Sequence, residues 1–180
     1  MIKLENVTKF YNSKGIITHA LKNINLELYK NEFVAICGPS GSGKSTLLNV
    51  ICKQDTFDEG EIYYKGNETA YFNVDDMDDF RKNKVGFIFQ NYNIIESYTV
   101  FQNVMLPYEL KGMPTKEAKK KALAIIDEVG LHDKINNRGA ELSGGQKQRC
   151  VIARALAFEP EILACDEPTG NLDSETGAEI

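Results

Sequence analysis

Gly38-Pro39-Ser40-Gly41-Ser42-Gly43-Lys44-Ser45-Thr46 fits the pattern G-x4-G-K-[ST]. It follows a continuous apolar run, Phe33-Val34-Ala35-Ile36-Cys37, and precedes a second largely apolar stretch, Leu47-Leu48-Asn49-Val50-Ile51. That context reads as strand, loop, helix. Glycines let successive backbone N–H groups turn inward around phosphate oxygens, and the start of the helix adds the positive end of a dipole. Lys44 is placed to reach β- and γ-phosphates, and the Ser45 hydroxyl to ligate Mg²⁺. The segment implies ATP or GTP as ligand, with Gly38, Ser40, Gly41, Gly43, Lys44, Ser45 and Thr46 around its phosphates.

A second strand must bring a carboxylate to the metal. Ile162-Leu163-Ala164-Cys165-Asp166-Glu167 supplies it, four apolar residues followed by two acids. Ligands gather at the carboxyl ends of strands in open parallel sheets. Asp166 is placed to hold Mg²⁺ through water, and Glu167 is the natural general base for an attacking water. An acidic pair alone commonly does no more than end a strand. The phosphate loop upstream gives this one its function.

Further out, Ile2 and Leu4, then Ile24, Leu26 and Leu28, alternate with polar residues as half-exposed strands do. Residues 85–89 and 162–165 are apolar runs like 33–37, suited to a parallel sheet covered on both faces. Glu61-Ile62-Tyr63-Tyr64 reads as a shorter peripheral strand. Between Gln90 and Leu142 the pattern turns helical. Pro114-Thr115 opens a segment with Ala118, Ala122, Ile125, Ile126 and Val129 on one side, and Gly130 closes it. Lys119-Lys120-Lys121 forms its solvated face. Asp75, Asp76, Asp78 and Asp79 read as a charged helix start rather than a metal site.

The bulk composition sets limits. Across 180 residues, 42% are hydrophobic and 26% charged, so one buried core is within reach. A net charge of −5 gives no broad basic surface, so no nucleic-acid partner is expected. No stretch approaches the roughly 18–20 apolar residues of a membrane span. The amino terminus lacks the layout of a secretory signal. The expected place is the cytosol. Cys37, Cys52, Cys150 and Cys165 form no CxxC pair and read as small buried thiols.

Leu142-Ser143-Gly144-Gly145-Gln146 narrows the field, because LSGGQ is highly specific to ABC ATPases. Over essentially its whole length the chain resembles an ABC nucleotide-binding domain. The resemblance implies an α/β fold: a phosphate-loop NTPase core with a mainly parallel sheet, an amino-terminal antiparallel β subdomain, and a helical subdomain carrying LSGGQ. Residues 1–180 are then one ABC ATPase domain, with residues 91–141 as the inserted helical subdomain. Tyr11 resembles the aromatic that stacks on adenine. Gln90 resembles the glutamine that senses Mg²⁺ and the lytic water, and Asn171-Leu172-Asp173 resembles the D-loop.

Ser143, Gly144, Gly145 and Gln146 open a helix running toward Phe158, a second anion site. In the family it closes on the γ-phosphate bound by another subunit, so two chains sandwich two ATP molecules head to tail. The resemblance thus implies an ATP-hydrolysing transporter subunit using ATP and Mg²⁺. Its catalytic residues are Glu167, Gln90 and Lys44, and its metal residues Ser45, Gln90 and Asp166. It works as a homodimer, coupled to a membrane permease at the inner face of the cell membrane.

Phe87-Ile88-Phe89-Gln90-Asn91 and Pro168-Thr169-Gly170-Asn171-Leu172-Asp173-Ser174 resemble the branch of lipoprotein-release, macrolide-export and antimicrobial-peptide-export ATPases. Tyr98-Thr99-Val100 through Asn103-Val104-Met105-Leu106-Pro107 matches it too, although Gln102 stands where that branch often has Glu. Residues 91–98, Asn91 and Tyr98 included, would face the permease. Two other classes stay open, a soluble ABC ATPase acting on nucleic acid or ribosomes, and a non-hydrolysing fragment. The family continues past the D-loop to a switch histidine. Neither His19, which precedes the strand at 21–28, nor His132, which follows the helix ending at Gly130, occupies that place. The expectation is a carboxyl end missing after the D-loop.

Overall fold

The alternation of Ile2, Leu4 and Val7 with polar neighbours builds the first strand of an antiparallel sheet. In the computed structural model, which describes residues 1–180 apart from the side chain of Glu179, β1 (Ile2–Ser13) pairs with β2 (Ile16–Leu28). Lys14 and Gly15, at φ 52° and 85°, close the hairpin as a two-residue turn that requires positive φ at both positions. On its other side β1 pairs with β3 (Glu59–Tyr64), and β3 with the short β4 (Asn67–Glu68), giving the order β2-β1-β3-β4. Leu4 faces Leu26 and Ile62 across the two ladders, and Leu4, Val7 and Ile62 are buried. α1 (Lys44–Ile51) follows the glycine-rich loop, and α2 (Val74–Asn83) carries Asp75 and Asp76 in its first turn. There the carboxylates face the positive end of the helix dipole, as a charged helix start should. Phe80 of α2 meets the Tyr64 ring edge to face at 4.9 Å between centroids.

This sheet, α1 and α2 up to Arg81 form one compact unit, Met1–Arg81; the second is Lys82–Ile180. In the second, β5 (Val85–Ile88) runs parallel to β6 (Ile162–Cys165), in register from Val85↔Ile162 to Ile88↔Cys165. Between them in sequence lie α3 (Val100–Leu110), α4 (Thr115–Glu128) and α5 (Gly144–Ala157); α6 (Ser174–Glu179) follows β6. Val104, Tyr108, Ala122, Ile126, Cys150 and Ala153 share a buried core drawn from α3, α4 and α5. Ala118, Ala122 and Ile126 are the buried stripe of α4, and Gly130 at φ 66° ends that segment. Gln102 closes a capping box with Thr99, accepting from Thr99 N at 2.9 Å while Thr99 Oγ1 accepts from Gln102 N at 3.1 Å. Glutamine serves that position as well as glutamate does.

Three expectations need correction. Residues 33–37 form no strand: Phe33 is 95% exposed and Val34 44%, and the run enters no ladder among the described residues. An apolar run becomes a strand only where a neighbour takes its N–H and C=O groups, and none is paired with it here. The parallel part of the fold is therefore the β5–β6 pair. Cys37 and Cys165 are exposed, Cys37 through that unpaired run and Cys165 at the end of β6, while Cys52 and Cys150 are buried. His19 lies inside β2 opposite Phe10 rather than ahead of the strand.

Candidate functional site

In the first unit the glycine-rich loop has the backbone that an anion cradle needs. Ser42 N donates to Pro39 O at 3.3 Å, and Gly41 and Gly43 adopt φ 77° and 90°. A Cβ at Gly43 would overlap the Ala20 carbonyl oxygen, and one at Gly38 would lie 2.7 Å from Ser42 Oγ. Only glycine fits at Gly43, where the obstacle is backbone and φ is positive; at Gly38 the Ser42 hydroxyl would have to turn away. Gly43 is also the N-cap of α1 and brings no side-chain acceptor to the first-turn N–H groups. Those donors point to a ligand instead of a cap. Lys44 Nζ folds back to donate to Gly38 O and Pro39 O, each at 3.0 Å. The two carbonyls hold the ammonium where phosphate oxygens could take it over. Donor loop, lysine and the Ser45 hydroxyl together fit a magnesium-bound triphosphate.

Tyr11 stands on β1 and is 42% exposed. Its hydroxyl donates to Asp55 Oδ2 at 2.7 Å, and Thr46 of the phosphate loop lies close by. The bond to the carboxylate pushes the Tyr11 hydroxyl up and the Asp55 carboxyl down. Lys9 supports the same corner, 3.4 Å from Asp55 Oδ1 and 5.1 Å from the Tyr11 ring centroid. Asp55 carries no motif that sequence reasoning could have used.

In the second unit, Asp166 N donates to Ile88 O at 2.9 Å, carrying the parallel ladder one residue past β6. Glu167 then turns with φ 47°, a strained setting for a non-glycine residue. Gly170 N donates to Glu167 O at 3.0 Å and closes that turn. Gln90, just past β5, donates from Nε2 to Glu167 Oε2 at 3.0 Å across 77 residues of sequence. Asn171 Nδ2 in turn donates to Gln90 O at 2.9 Å. A Cβ at Gly170 would lie 3.3 Å from Glu167 O, slightly inside ordinary contact, and would touch Gln90 Nε2 at ordinary contact distance. One Glu167 oxygen is thus oriented by an amide while the carboxylate keeps accepting capacity for a water proton. The bracing by Asn171 and Gly170 was beyond reach of the sequence.

Ser143 is the N-cap of α5. Its backbone N–H donates to Gln146 Oε1 at 3.0 Å, and its hydroxyl accepts from Gln146 N at 3.4 Å. Ser143 and Gln146 of the motif are therefore each other's caps, which fixes the direction of the Gly144 and Gly145 N–H groups. Both glycines are tightly enclosed. A Cβ on Gly145 would overlap Thr176 Cγ2 of α6, and one on Gly144 would lie 3.1 Å from Tyr92 Oη. Thr176 and Tyr92 carried no sequence signal for this role. The stretch 91–98 is anchored from within. Buried Asn103 accepts from Ile95 N at 3.1 Å and donates to Ile95 O at 3.1 Å, while Arg154 donates to Asn93 O at 2.7 Å.

Comparison with known proteins supports the motif reading. Residues 21–170 match the sequence family described as ABC transporter. The chain is 47% identical over 184 residues to the ABC transporter ATP-binding protein MJ0796 of Methanocaldococcus jannaschii, covering all of this chain and 78% of that one. It is 40% identical to the lipoprotein-releasing system ATP-binding protein LolD of Bacteroides fragilis, with coverages of 100% and 82%. It is also 42% identical to the macrolide export ATP-binding/permease protein MacB of Nitrobacter winogradskyi, spanning 28% of that longer protein. The solved dimeric structure of MJ0796 superposes with a TM-score of 0.91 at 46% identity, covering 100% of this chain and 79% of that one. A second MJ0796 dimer, in a post-hydrolysis state, is bound to ADP and Pi.

Proposed function

Because this chain belongs to the ATP-binding subunits of ABC transporters, an ATPase family, we propose that it powers an export-type transporter by ATP-driven pairing of two copies. The observation that carries the hydrolytic part is the Gln90–Glu167 hydrogen bond of 3.0 Å, braced by Asn171. In this reading Tyr11 stacks on the adenine, and the 38–46 loop wraps the phosphates with its N–H groups. Lys44 trades its two carbonyl partners for β- and γ-phosphate oxygens. Ser45, Gln90 and, through water, Asp166 would hold Mg²⁺, which neutralises charge on the phosphates when bound. Glu167 accepts a proton from water, and the water oxygen forms a bond to the γ-phosphorus. The bridging bond to the β-phosphate breaks, leaving ADP and phosphate. Ser143 and the Gly144 and Gly145 N–H groups, set by the Gln146 cap, receive the γ-phosphate held by a second copy.

Residues 91–98 are the proposed contact for a permease subunit at the inner face of the membrane. Asn103 and Arg154 give that segment a defined shape to present. No helix among the described residues is long and apolar enough to cross a membrane. The likeness to LolD and MacB supports the export branch, with a lipoprotein, peptide or drug-like substrate.

The test is Glu167→Gln, which keeps the hydrogen bond to Gln90 available and removes the base. Light scattering of this variant with MgATP should show a stable dimer that reverts to monomer when ADP replaces ATP. A monomer under both conditions would refute the composite site.

A further inference from the structure

The loop after α1 buries a charge for which ATP chemistry has no use. Lys53 sits just past the helix at φ 58°, a left-handed setting that disfavours a long side chain, and only 6% of it is exposed. Its Nζ donates to Thr69 Oγ1 at 2.6 Å and lies 4.9 Å from the Phe57 ring centroid. Among the described residues no carboxylate pairs with it, and burial alone pushes its amine down to about 8. Isolated charges are rarely held this way, because desolvation without a counter-charge is among the larger penalties a fold can carry.

The surroundings of Lys53 form a cleft of about 510 Å³. Phe57, Phe72, Val74 and Met77 give it apolar walls, and Asp55 and Arg81 also line it. Both of these charges are already engaged. Asp55 holds Tyr11 and Lys9, while Arg81 pairs with Asp78 and donates to Lys53 O. What remains is a partly apolar trough ending on one ammonium that meets the face of the Phe57 ring but no carboxylate. An ammonium has three donors, and Thr69 takes one, leaving two. Gln54, Thr56 and Asn73 line the cleft as well, and apolar walls joined to a few polar groups are the common form of a small-molecule site.

We propose that this cleft binds a small organic anion, a monocarboxylate that sets its charge against Lys53 Nζ and its apolar body against Phe57, Phe72 and Met77. A single unanswered cation suits one negative charge better than a phosphate dianion. The site lies at the carboxyl end of α1, whose first turn belongs to the phosphate loop, but its occupancy does not depend on the nucleotide reading.

Benzoate is the probe, with benzamide as its neutral counterpart. Calorimetry on the full chain should show saturable benzoate binding in the millimolar range or tighter. Benzamide should bind at least about tenfold more weakly, as should benzoate to Lys53→Met, the scale on which a charge-assisted hydrogen bond acts. In the unmutated chain, benzoate should slow reductive methylation of Lys53, located by peptide mass spectrometry. This second readout stands even if Lys53→Met folds poorly. Equal binding of benzoate and benzamide, unchanged binding by folded Lys53→Met, absence of saturable binding, or no protection of Lys53 would each overturn the proposal. MgATP binding measured on the same preparation separates such a failure from failure of the ATPase reading.

Discussion

Replacing Lys53 by Met should make the ligand-free protein more stable near neutral pH, and the gain should vanish in alkali. In the folded chain burial lowers the Lys53 amine from 10.5 to about 8. Between those values the unfolded chain binds more protons at this site than the folded one, so wild-type stability rises with pH across that window. Below about pH 8 the whole penalty is present. At about 1.4 kcal/mol per pKa unit it amounts to about 3 kcal/mol. Methionine fills a similar volume without charge but strands the Thr69 hydroxyl, at a cost of about 1 kcal/mol. The net expectation is a variant about 2 kcal/mol more stable at pH 7 and no more stable than wild type at pH 10.5. Urea melts of both proteins across that pH range measure the difference directly, since other titrating groups are common to both and cancel. A difference that stays constant with pH, or a Met variant less stable at pH 7, would refute the buried, unpaired ammonium.

Gly145→Ala should destabilise the protein by about 1–3 kcal/mol, because its new methyl overlaps Thr176 Cγ2. Adding Thr176→Ser removes that methyl and keeps the hydroxyl that bonds Asp173, so thermal melts of the double variant should recover most of the loss. Failure of the serine to rescue would mean that the two residues do not pack as described. Ile126→Ala, at a fully buried position of α4, should cost about 2–5 kcal/mol in urea melts. A loss below about 1 kcal/mol would place Ile126 outside the helical core.

Local patterns with a strong period or an explicit cap were legible in the sequence. The Ala118–Ala122–Ile126 stripe of α4 and the Gly130 stop follow from spacing and from glycine's freedom at positive φ. The Ser143–Gln146 pair could be read as a helix start because a capping box needs only residues three apart. The phosphate loop was equally plain, since the residue types dictate its backbone. At residues 33–37 the sequence misleads because apolar content signals burial only where a partner strand exists, and pairing is not a local property. Lys53 gave no signal, as a lysine after a helix reads as solvated until its surroundings are seen. The Gln90–Glu167 bond joins residues 77 apart, so the roles were foreseen from the motifs but the contact was not.

The central claim is that the 38–46 loop holds the phosphates of ATP with Lys44 answering their charge. Equilibrium MgATP binding by the wild-type chain and by Lys44→Ala tests it most directly, with circular dichroism confirming that both are folded. The account predicts saturable binding by the wild type and its loss, at least about tenfold, in Lys44→Ala, the scale of one charge-assisted contact. Equal affinity in the two folded proteins, or no binding by the folded wild type, would contradict it.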